Sequence, residues 1–330
     1  MNAREIVLRT LEYRRPARLA ASFPEPYWHD LVHVSYRPQH DPTWRDIGNG
    51  RQEFIDEWGN TWARIDATSK GEVAHGALED WDDMDRILWP DLANPANFDM
   101  VRDFCADPTN ERFRIGSLPG FPFNIARKMR RLDTFLMDVL IDRPNVERLL
   151  SRIEAILAAT IVQYALAGVD GVMFPEDWGT QESLMIRPQT WRELFKPGFE
   201  RLCAVAHQRG IKVLMHSCGK TTAIILDLIE AGIDCLQFDQ PQLHGLDNLA
   251  QFHGQMTFWC PVDIQKTLQT LDEQAIIADA REMVEKLGGP EGGFIAGYYG
   301  DNVSIGLDPR WQDLACRTFM VLGDYAGVEA

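Results

Sequence analysis

The stretch His216-Ser217-Cys218-Gly219 carries the side chains best suited to metal chemistry. It follows the apolar run at residues 211–215, which predicts a buried strand. His216 and Cys218 are two positions apart, so both side chains should leave the same face at the strand's carboxyl end. An imidazole nitrogen and a thiolate sulfur together suit zinc. We predict an active site here in which the pair binds a metal; a hydrogen-bonded histidine beside a buried thiol is the alternative.

Alternating strands and helices must position this pair. Apolar runs predict strands at residues 19–23, 112–116, 171–174, 211–215, 235–238, 256–260 and 293–296. Helical periodicity follows at 123–140, 145–167, 188–209, 221–231, 247–252, 272–287 and 309–322. This alternation predicts parallel strands joined by helical crossovers, and one further strand would close a (β/α)8 TIM barrel. The barrel is our predicted fold, and a doubly wound open sheet is the alternative.

A single domain is predicted for residues 1–330. Residues 1–110 should form an N-terminal cover and the first strand, beginning with a helix at 4–13. Within it, 24–110 should be largely irregular, with one hairpin arm at 57–62 and a short helix that opens at 81–85 and is ended by Trp89-Pro90. Residues 111–330 should hold the main run of βα units.

Polar residues follow five predicted strands in succession. In a TIM barrel such strand ends form the active site. We predict Asp177 and His216 as catalytic residues, whereas Glu176 should face solvent beside the site. The predicted substrate-binding residues are Gln181, Asp239, Gln240, Asp263, Gln265 and Tyr298. The two aspartates in this set could instead cap helices, and Tyr298 could form an apolar wall.

The charge and the cysteines exclude several classes of protein. The net charge is −16, which argues against binding nucleic acid or anionic lipid. Six scattered cysteines without a CxxC pair do not predict a disulfide framework. Neither a signal-peptide core nor an apolar run of about 18 residues, as a membrane span requires, is evident. These features predict a soluble, cytoplasmic protein that binds a small molecule.

The strand-end motifs resemble those of the uroporphyrinogen decarboxylase superfamily, which includes zinc-dependent methyltransferases acting on corrinoids. The similarity is greatest to its uroporphyrinogen decarboxylase-like branch and covers nearly the whole chain. Its main segments are Glu57-Trp58-Gly59, Asp177-Trp178-Gly179-Thr180-Gln181, His216-Ser217-Cys218-Gly219 and Val262-Asp263-Ile264-Gln265. The resemblance implies a TIM barrel.

The N-terminal region departs from the true decarboxylases of this superfamily. They share an arginine-rich stretch of the form RQAGRYLPEY, whose arginines neutralise the carboxylates of the porphyrinogen. The corresponding residues 20–27 here contain no arginine. An acidic chain without them is a poor host for an octa-anionic substrate, so a role in haem synthesis is disfavoured.

The methyltransferase branch implies a zinc ion bound by a His-x-Cys motif and a later cysteine. His216 and Cys218 match the motif, but residues 292–301 contain no cysteine. A catalytic zinc usually has three protein ligands, so a third ligand is expected at a strand end, where the candidates are Asp239, Cys260 and Asp301.

The same resemblance implies that zinc activates a small thiol or methoxy substrate. The methyl group would be carried as methylcobalamin on a separate corrinoid protein, because this chain has no DxHxxG run. Asp177 would orient or protonate the substrate. Two other functions stay open: a metal-free decarboxylase or lyase of a small organic acid, with Asp177 and His216 transferring protons, and a non-catalytic ligand-binding barrel. A homodimer is the default expectation for assembly.

Overall fold

A computed structural model of the chain describes residues 1–38, 43–67 and 69–325. Its strands are β1 (Ala20–Ala21), β2 (Leu31–Val34), β3 (Arg45–Gly48), β4 (Arg51–Ile55), β5 (Thr61–Arg64), β6 (Glu72–His75), β7 (Phe113–Ser117), β8 (Gly171–Pro175), β9 (Lys212–His216), β10 (Cys235–Gln237), β11 (Thr257–Cys260) and β12 (Phe294–Ala296).

The α-helices are α1 (Ala3–Leu11), α2 (Asp99–Ala106), α3 (Pro122–Met129), α4 (Leu132–Ile141), α5 (Arg143–Ala167), α6 (Pro188–Leu194), α7 (Lys196–His207), α8 (Ile225–Ala231), α9 (Pro241–His244), α10 (Leu246–Ala250), α11 (Glu273–Leu287) and α12 (Arg310–Leu322). Short 3-10 helices span Trp81–Arg86, Pro95–Phe98, Thr222–Ile224 and Leu268–Thr270.

Eight of the described strands form a parallel sheet in the order β1-β12-β11-β10-β9-β8-β7-β2. Going around the sheet from β1 through β2 and β7 to β12, the strands follow one another in the order of the chain. Helices join most neighbouring strands. The sheet is therefore a nearly closed TIM barrel, which confirms the predicted fold. The strand that the sequence prediction lacked is β2, and it occupies one edge of the seam.

Asp30 joins the two edge strands at this seam. Its backbone N–H donates to the Ala21 carbonyl at 2.9 Å, and its carboxylate accepts the Ala21 N–H at 2.9 Å. Arg18 donates two hydrogen bonds of 2.7 Å to the same carboxylate. Because Asp30 is only 1% exposed, this pair is protected from solvent and ties β1 to β2.

Helix α1 closes the amino-terminal end of the barrel. Its apolar residues Ile6, Val7 and Leu11 are buried in one cluster with barrel-interior side chains such as Leu214 and Trp259. Their spacing places all three on one helix face. With this end closed, the open end of the barrel is the one where the strands terminate.

Helix α5 is long and apolar enough to cross a membrane when length and composition alone are considered. Nine of its residues are buried, among them Leu149, Ile153, Leu157 and Ile161. These side chains belong to the hydrophobic core that the barrel shares with its helices. Helix α5 therefore serves as a core helix of this α/β fold.

Residues 24–110 are more regular than predicted. Besides β2 they contain a four-stranded antiparallel sheet in the order β3-β4-β5-β6. Its strands are short and largely exposed or half-buried, so they lack the apolar runs by which the barrel strands were recognised. Lys70, just before β6, lies 3.8 Å from Asp301 in the loop after β12. The small sheet therefore reaches over the open end of the barrel.

Candidate active site

Two glycines hold the loops after β8 and β9 against each other. Gly219 has a φ of +75°, and a Cβ added there would lie 2.1 Å from the carbonyl oxygen of Gly179. The Lys220 N–H donates to the Thr180 carbonyl at 2.8 Å across the same contact. Only residues without a side chain allow this approach. The contact brings Asp177 on the first loop beside Cys218 on the second.

Asp177, His216 and Cys218 offer three ligand atoms within 4.8 Å of one another. His216 Nε2 lies 3.3 Å from Cys218 Sγ and 3.8 Å from Asp177 Oδ1. The Cys218 backbone N–H donates to Asp177 Oδ1 at 2.9 Å. The site thus combines a nitrogen, a sulfur and an oxygen donor from two neighbouring loops.

Gln237 fixes the orientation of the histidine. His216 Nδ1 donates a hydrogen bond to Gln237 Oε1, and Gln237 Nε2 donates to Asp239 Oδ1 at 2.9 Å. A neutral imidazole with its proton on Nδ1 presents an unprotonated Nε2 to the cluster. Gln237 is not among the site residues predicted from the sequence, although its pairing partner on β9 is His216.

The third donor differs from the three candidates predicted for it. Asp239 accepts a hydrogen bond from Gln237 and so supports His216 indirectly. Cys260 is fully buried in the core between the barrel and its helices, because its neighbour Trp259 occupies the inward face of β11. Asp301 accepts the Ser304 N–H within the loop after β12 and lies 3.8 Å from Lys70. Among the described residues, the position beside the histidine and cysteine belongs to Asp177.

The donor set fits zinc. Bonds of about 2.0–2.3 Å in a tetrahedron place ligand atoms roughly 3.3–3.8 Å apart, and the two separations from His216 Nε2 are 3.3 and 3.8 Å. Partial desolvation of the sulfur, together with the carboxylates of Asp177 and Asp239, raises the pKa of the Cys218 thiol to about 12. A bound cation would relieve this repulsion and favour the thiolate.

The predicted substrate-binding residues lie in several environments. Gln181 and Gln265 are exposed, and Gln240 is half-buried at the start of α9. Asp263 is buried and its carboxylate accepts the N–H groups of Gln242, Gln265 and Lys266, so it organises a turn. The half-buried Tyr298 accepts a hydrogen bond from Asn302. Substrate contacts by these residues stay a prediction.

Residues 67–300 match the model of the family described as Uroporphyrinogen decarboxylase (URO-D). The chain belongs to the uroporphyrinogen decarboxylase (URO-D) family. This confirms the resemblance drawn from the strand-end motifs. No curated protein matches the chain.

Solved structures show the same fold at low sequence identity. A methyltransferase from Methanosarcina mazei is similar with a TM-score of 0.69 at 11% identity, over 97% of this chain and 98% of that one. A D-psicose 3-epimerase from Clostridium cellulolyticum H10 matches 69% of this chain and 83% of its own, with a TM-score of 0.41 at 8% identity. The first likeness supports the fold, and the second is too weak to add to it.

Glu176 binds the start of helix α3 in this URO-D family barrel. It was predicted to face solvent, but it is fully buried and accepts backbone N–H groups from Phe121, Phe123 and Asn124. These donors lie at the start of α3, where a carboxylate is favoured. Burial raises the pKa of Glu176 to about 8. Its carboxyl group thus anchors α3 beside the loop that carries Asp177.

His33 is a site residue that the sequence analysis missed together with β2. Its Nδ1 lies 3.3 Å from Ser117 Oγ, and its ring stacks on Trp259 with centroids 6.2 Å apart. The side chain remains accessible to solvent, because it faces the open end of the barrel. Burial on its other sides lowers the pKa of His33. A neutral imidazole is therefore available in the barrel mouth at neutral pH.

Proposed function

We propose that this chain is a zinc-assisted methyltransferase acting between a corrinoid protein and a small thiol or methoxy substrate. The observation that carries the proposal is the cluster of Asp177, His216 and Cys218, whose ligand atoms lie within 4.8 Å of one another. Its nitrogen, sulfur and oxygen donors suit zinc, and it lies at the carboxyl ends of barrel strands, where TIM-barrel enzymes act. Membership of the URO-D family supports an enzymatic role.

Each residue of the cluster has a distinct task in this proposal. Zinc, when bound, would supply a Lewis acid that stabilises the substrate heteroatom as an anion at neutral pH. His216 and Cys218 would hold the ion, and Gln237 would keep the histidine in the required tautomer. Asp177 would complete the donor set or orient the substrate. Arg127, whose Nη2 lies 3.5 Å from Asp177 Oδ2, would hold that carboxylate in position.

The methyl carrier in this proposal is methylcobalamin on a separate corrinoid protein. The chain contains no DxHxxG run with which to bind a corrinoid itself. Cys218 is exposed at the barrel mouth, so a carrier docked over this end could present its methyl group to the site. We place this reaction in the cytoplasm.

Metal analysis of protein purified without chelator tests the proposal. We expect one zinc per chain in the wild type and in Cys105→Ser, whose thiol lies on α2, away from the site. Cys218→Ser should lose the metal. Activity is then assayed as methyl transfer from free methylcobalamin to a small thiol. The absorbance of the cobalamin changes as the methyl group leaves and reports the rate. Metal-free wild-type protein would overturn the zinc-assisted reaction.

A metal-free decarboxylase or lyase is the second candidate, and Arg127 favours it. Its guanidinium beside Asp177 could bind a substrate carboxylate, while Asp177 and His216 transfer protons. Carbon dioxide release from a small organic acid by chelator-treated protein would support this function. Loss of all activity on removal of the metal would contradict it.

A further inference from the structure

A cavity of about 650 Å³ is lined by strands β5 and β6 of the small sheet and by helices α3 and α4. Trp62 and Leu132 give it apolar walls, and Arg127 and Lys128 bring two cationic side chains. Arg127 Nη2 also lies 3.5 Å from Asp177 Oδ2, so the cavity borders the candidate active site. Ligand pockets measure about 300–1,000 Å³, and this cavity is large enough for a small organic compound.

The amine of Lys128 packs against an aromatic ring in this cavity. Its Nζ lies 5.4 Å from the centroid of the Trp62 ring, and the side chain is half-buried. The same side chain lines a second cavity of about 180 Å³ together with Trp58 and Ile125. Within the ranges that the structure describes, Lys128 Nζ makes no hydrogen bond or ion pair with the protein. Its position therefore leaves the nitrogen open to a ligand.

Cations and carboxylates both surround this amine, and burial decides the balance. Burial is the largest influence and lowers the pKa of Lys128 from 10.5, and the neighbouring Arg127 lowers it further. The carboxylates of Asp56, Glu176 and Asp177 each raise it by less. The other described charged side chains that line either cavity are Glu57, Glu72, Arg131 and Asp133. At a given pH the amine is therefore neutral in a larger share of molecules than an ordinary lysine.

We infer that Lys128 is a nucleophile that binds small aldehydes or ketones covalently as an imine. The amine nitrogen forms a bond to the carbonyl carbon, and its two hydrogens leave with the carbonyl oxygen as water. Only a neutral amine has the lone pair for this attack. The walls formed by Trp62 and Leu132 suit a carbonyl compound with a short apolar body. The inference stands apart from the proposed function, because no step of that reaction uses Lys128.

A structural role is the alternative for this lysine. Lys128 lies in the last turn of α3, where a positive charge stabilises the helix end. Lysine side chains also bury their methylene groups while the charged nitrogen stays in water. A lysine with only this role stays charged, and its half-buried nitrogen reacts no faster than that of an exposed lysine. The reactivity of the amine therefore distinguishes the two roles.

Reductive labelling with propanal and cyanoborohydride tests the inference, and peptide mass spectrometry locates the label. Cyanoborohydride reduces the imine and leaves a propyl group on the nitrogen. At pH 7.5 we expect Lys128 to be labelled at least tenfold faster than Lys266, which is exposed. Trace labelling with acetic anhydride from pH 6 to pH 11 then follows the neutral amine directly. The titration midpoint of Lys128 should lie below the ordinary lysine value of about 10.4.

Lys128→Met is the matched variant and should lose this label while Lys266 is labelled as before. Circular dichroism of the variant should match that of the wild type. Labelling of Lys128 no faster than that of Lys266 would overturn the inference, and so would a titration midpoint at or above about 10.4. Both measurements compare amines within the wild-type chain, so they hold even where the variant folds poorly.

Discussion

His216 donates its Nδ1 hydrogen to Gln237, and this bond decides which nitrogen faces Cys218. The amide can accept through Oε1 because its Nε2 donates to Asp239 at 2.9 Å. The two interactions fix both the amide orientation and the histidine tautomer. Asp239 and Gln237 therefore form a supporting chain behind His216, the proposed metal ligand, and such partners orient ligating histidines in metal sites.

Gln237→Leu should weaken zinc binding by about 10–100-fold, the usual effect of losing a partner behind a ligating histidine. The leucine cannot accept the Nδ1 hydrogen, so the imidazole loses its fixed tautomer. Competition with a chromophoric chelator measures the affinity. Gln208→Leu, at an exposed position after α7, is the control. Equal affinity in both variants would show that Gln237 does not support the metal site.

Gly219→Ala should disrupt the site far more than Gly210→Ala. Both glycines have a positive φ, +75° and +73°, but an added Cβ lies 2.1 Å from Gly179 O in the first and meets nothing within 4 Å in the second. Both variants share a backbone strain of about 1 kcal/mol. The clash should in addition displace Cys218 and lower zinc affinity at least tenfold. Thermal unfolding and chelator competition measure the two effects, and similar zinc affinity in both variants would contradict the steric argument.

The sequence predicted seven barrel strands because each contains an apolar run long enough to recognise. Strand β2 has only four residues, and the polar His33 interrupts its run Leu31–Val34. Its position in the barrel comes from pairing with β7 and from Asp30 at the seam, which are contacts distant in sequence. His33 was consequently missed as a site residue along with its strand.

Contacts between residues distant in sequence also explain why Asp177 was not predicted as the third donor of the cluster. Strand β11 is buried on both faces, so its apolar sequence could not show that Trp259 points inward and Cys260 outward. Asp177 lies on a loop, where no periodicity fixes the direction of a side chain. Its approach to Cys218 depends on the contact between Gly179 and Gly219, which only the folded structure reveals.

Asp30→Asn should destabilise the barrel at its seam. The variant removes the charge that pairs with Arg18 at 2.7 Å, and losing one partner of a buried ion pair costs about 3–5 kcal/mol. Asp133→Asn is the control, because Asp133 is 74% exposed beside Arg131 and exposed pairs contribute about 0–1 kcal/mol. Urea unfolding measures both free energies. A similar small loss in the two variants would show that the seam does not depend on this pair.

His244 should make the protein less stable in mild acid. It is only 3% exposed, accepts or donates a 3.1 Å hydrogen bond with Thr222 Oγ1, and stacks on Phe238 with centroids 4.2 Å apart. Burial, with a smaller effect from Lys220, lowers the pKa of His244 from 6.5 to about 4. The folded protein therefore keeps this imidazole neutral at pH values where the unfolded chain protonates it.

The sign of the effect follows from linkage, because the unfolded state binds the extra proton between pH 6.5 and 4. The stability from neutral His244 is complete above about pH 6.5 and falls by about 3 kcal/mol as the pH drops to about 4. His244→Gln has no proton to gain, so its urea midpoint should fall less than that of the wild type between pH 7 and pH 4.5. His253→Gln, at an exposed position, should retain the wild-type pH dependence. Parallel pH profiles for the wild type and His244→Gln would show that the folded protein does not exclude this proton.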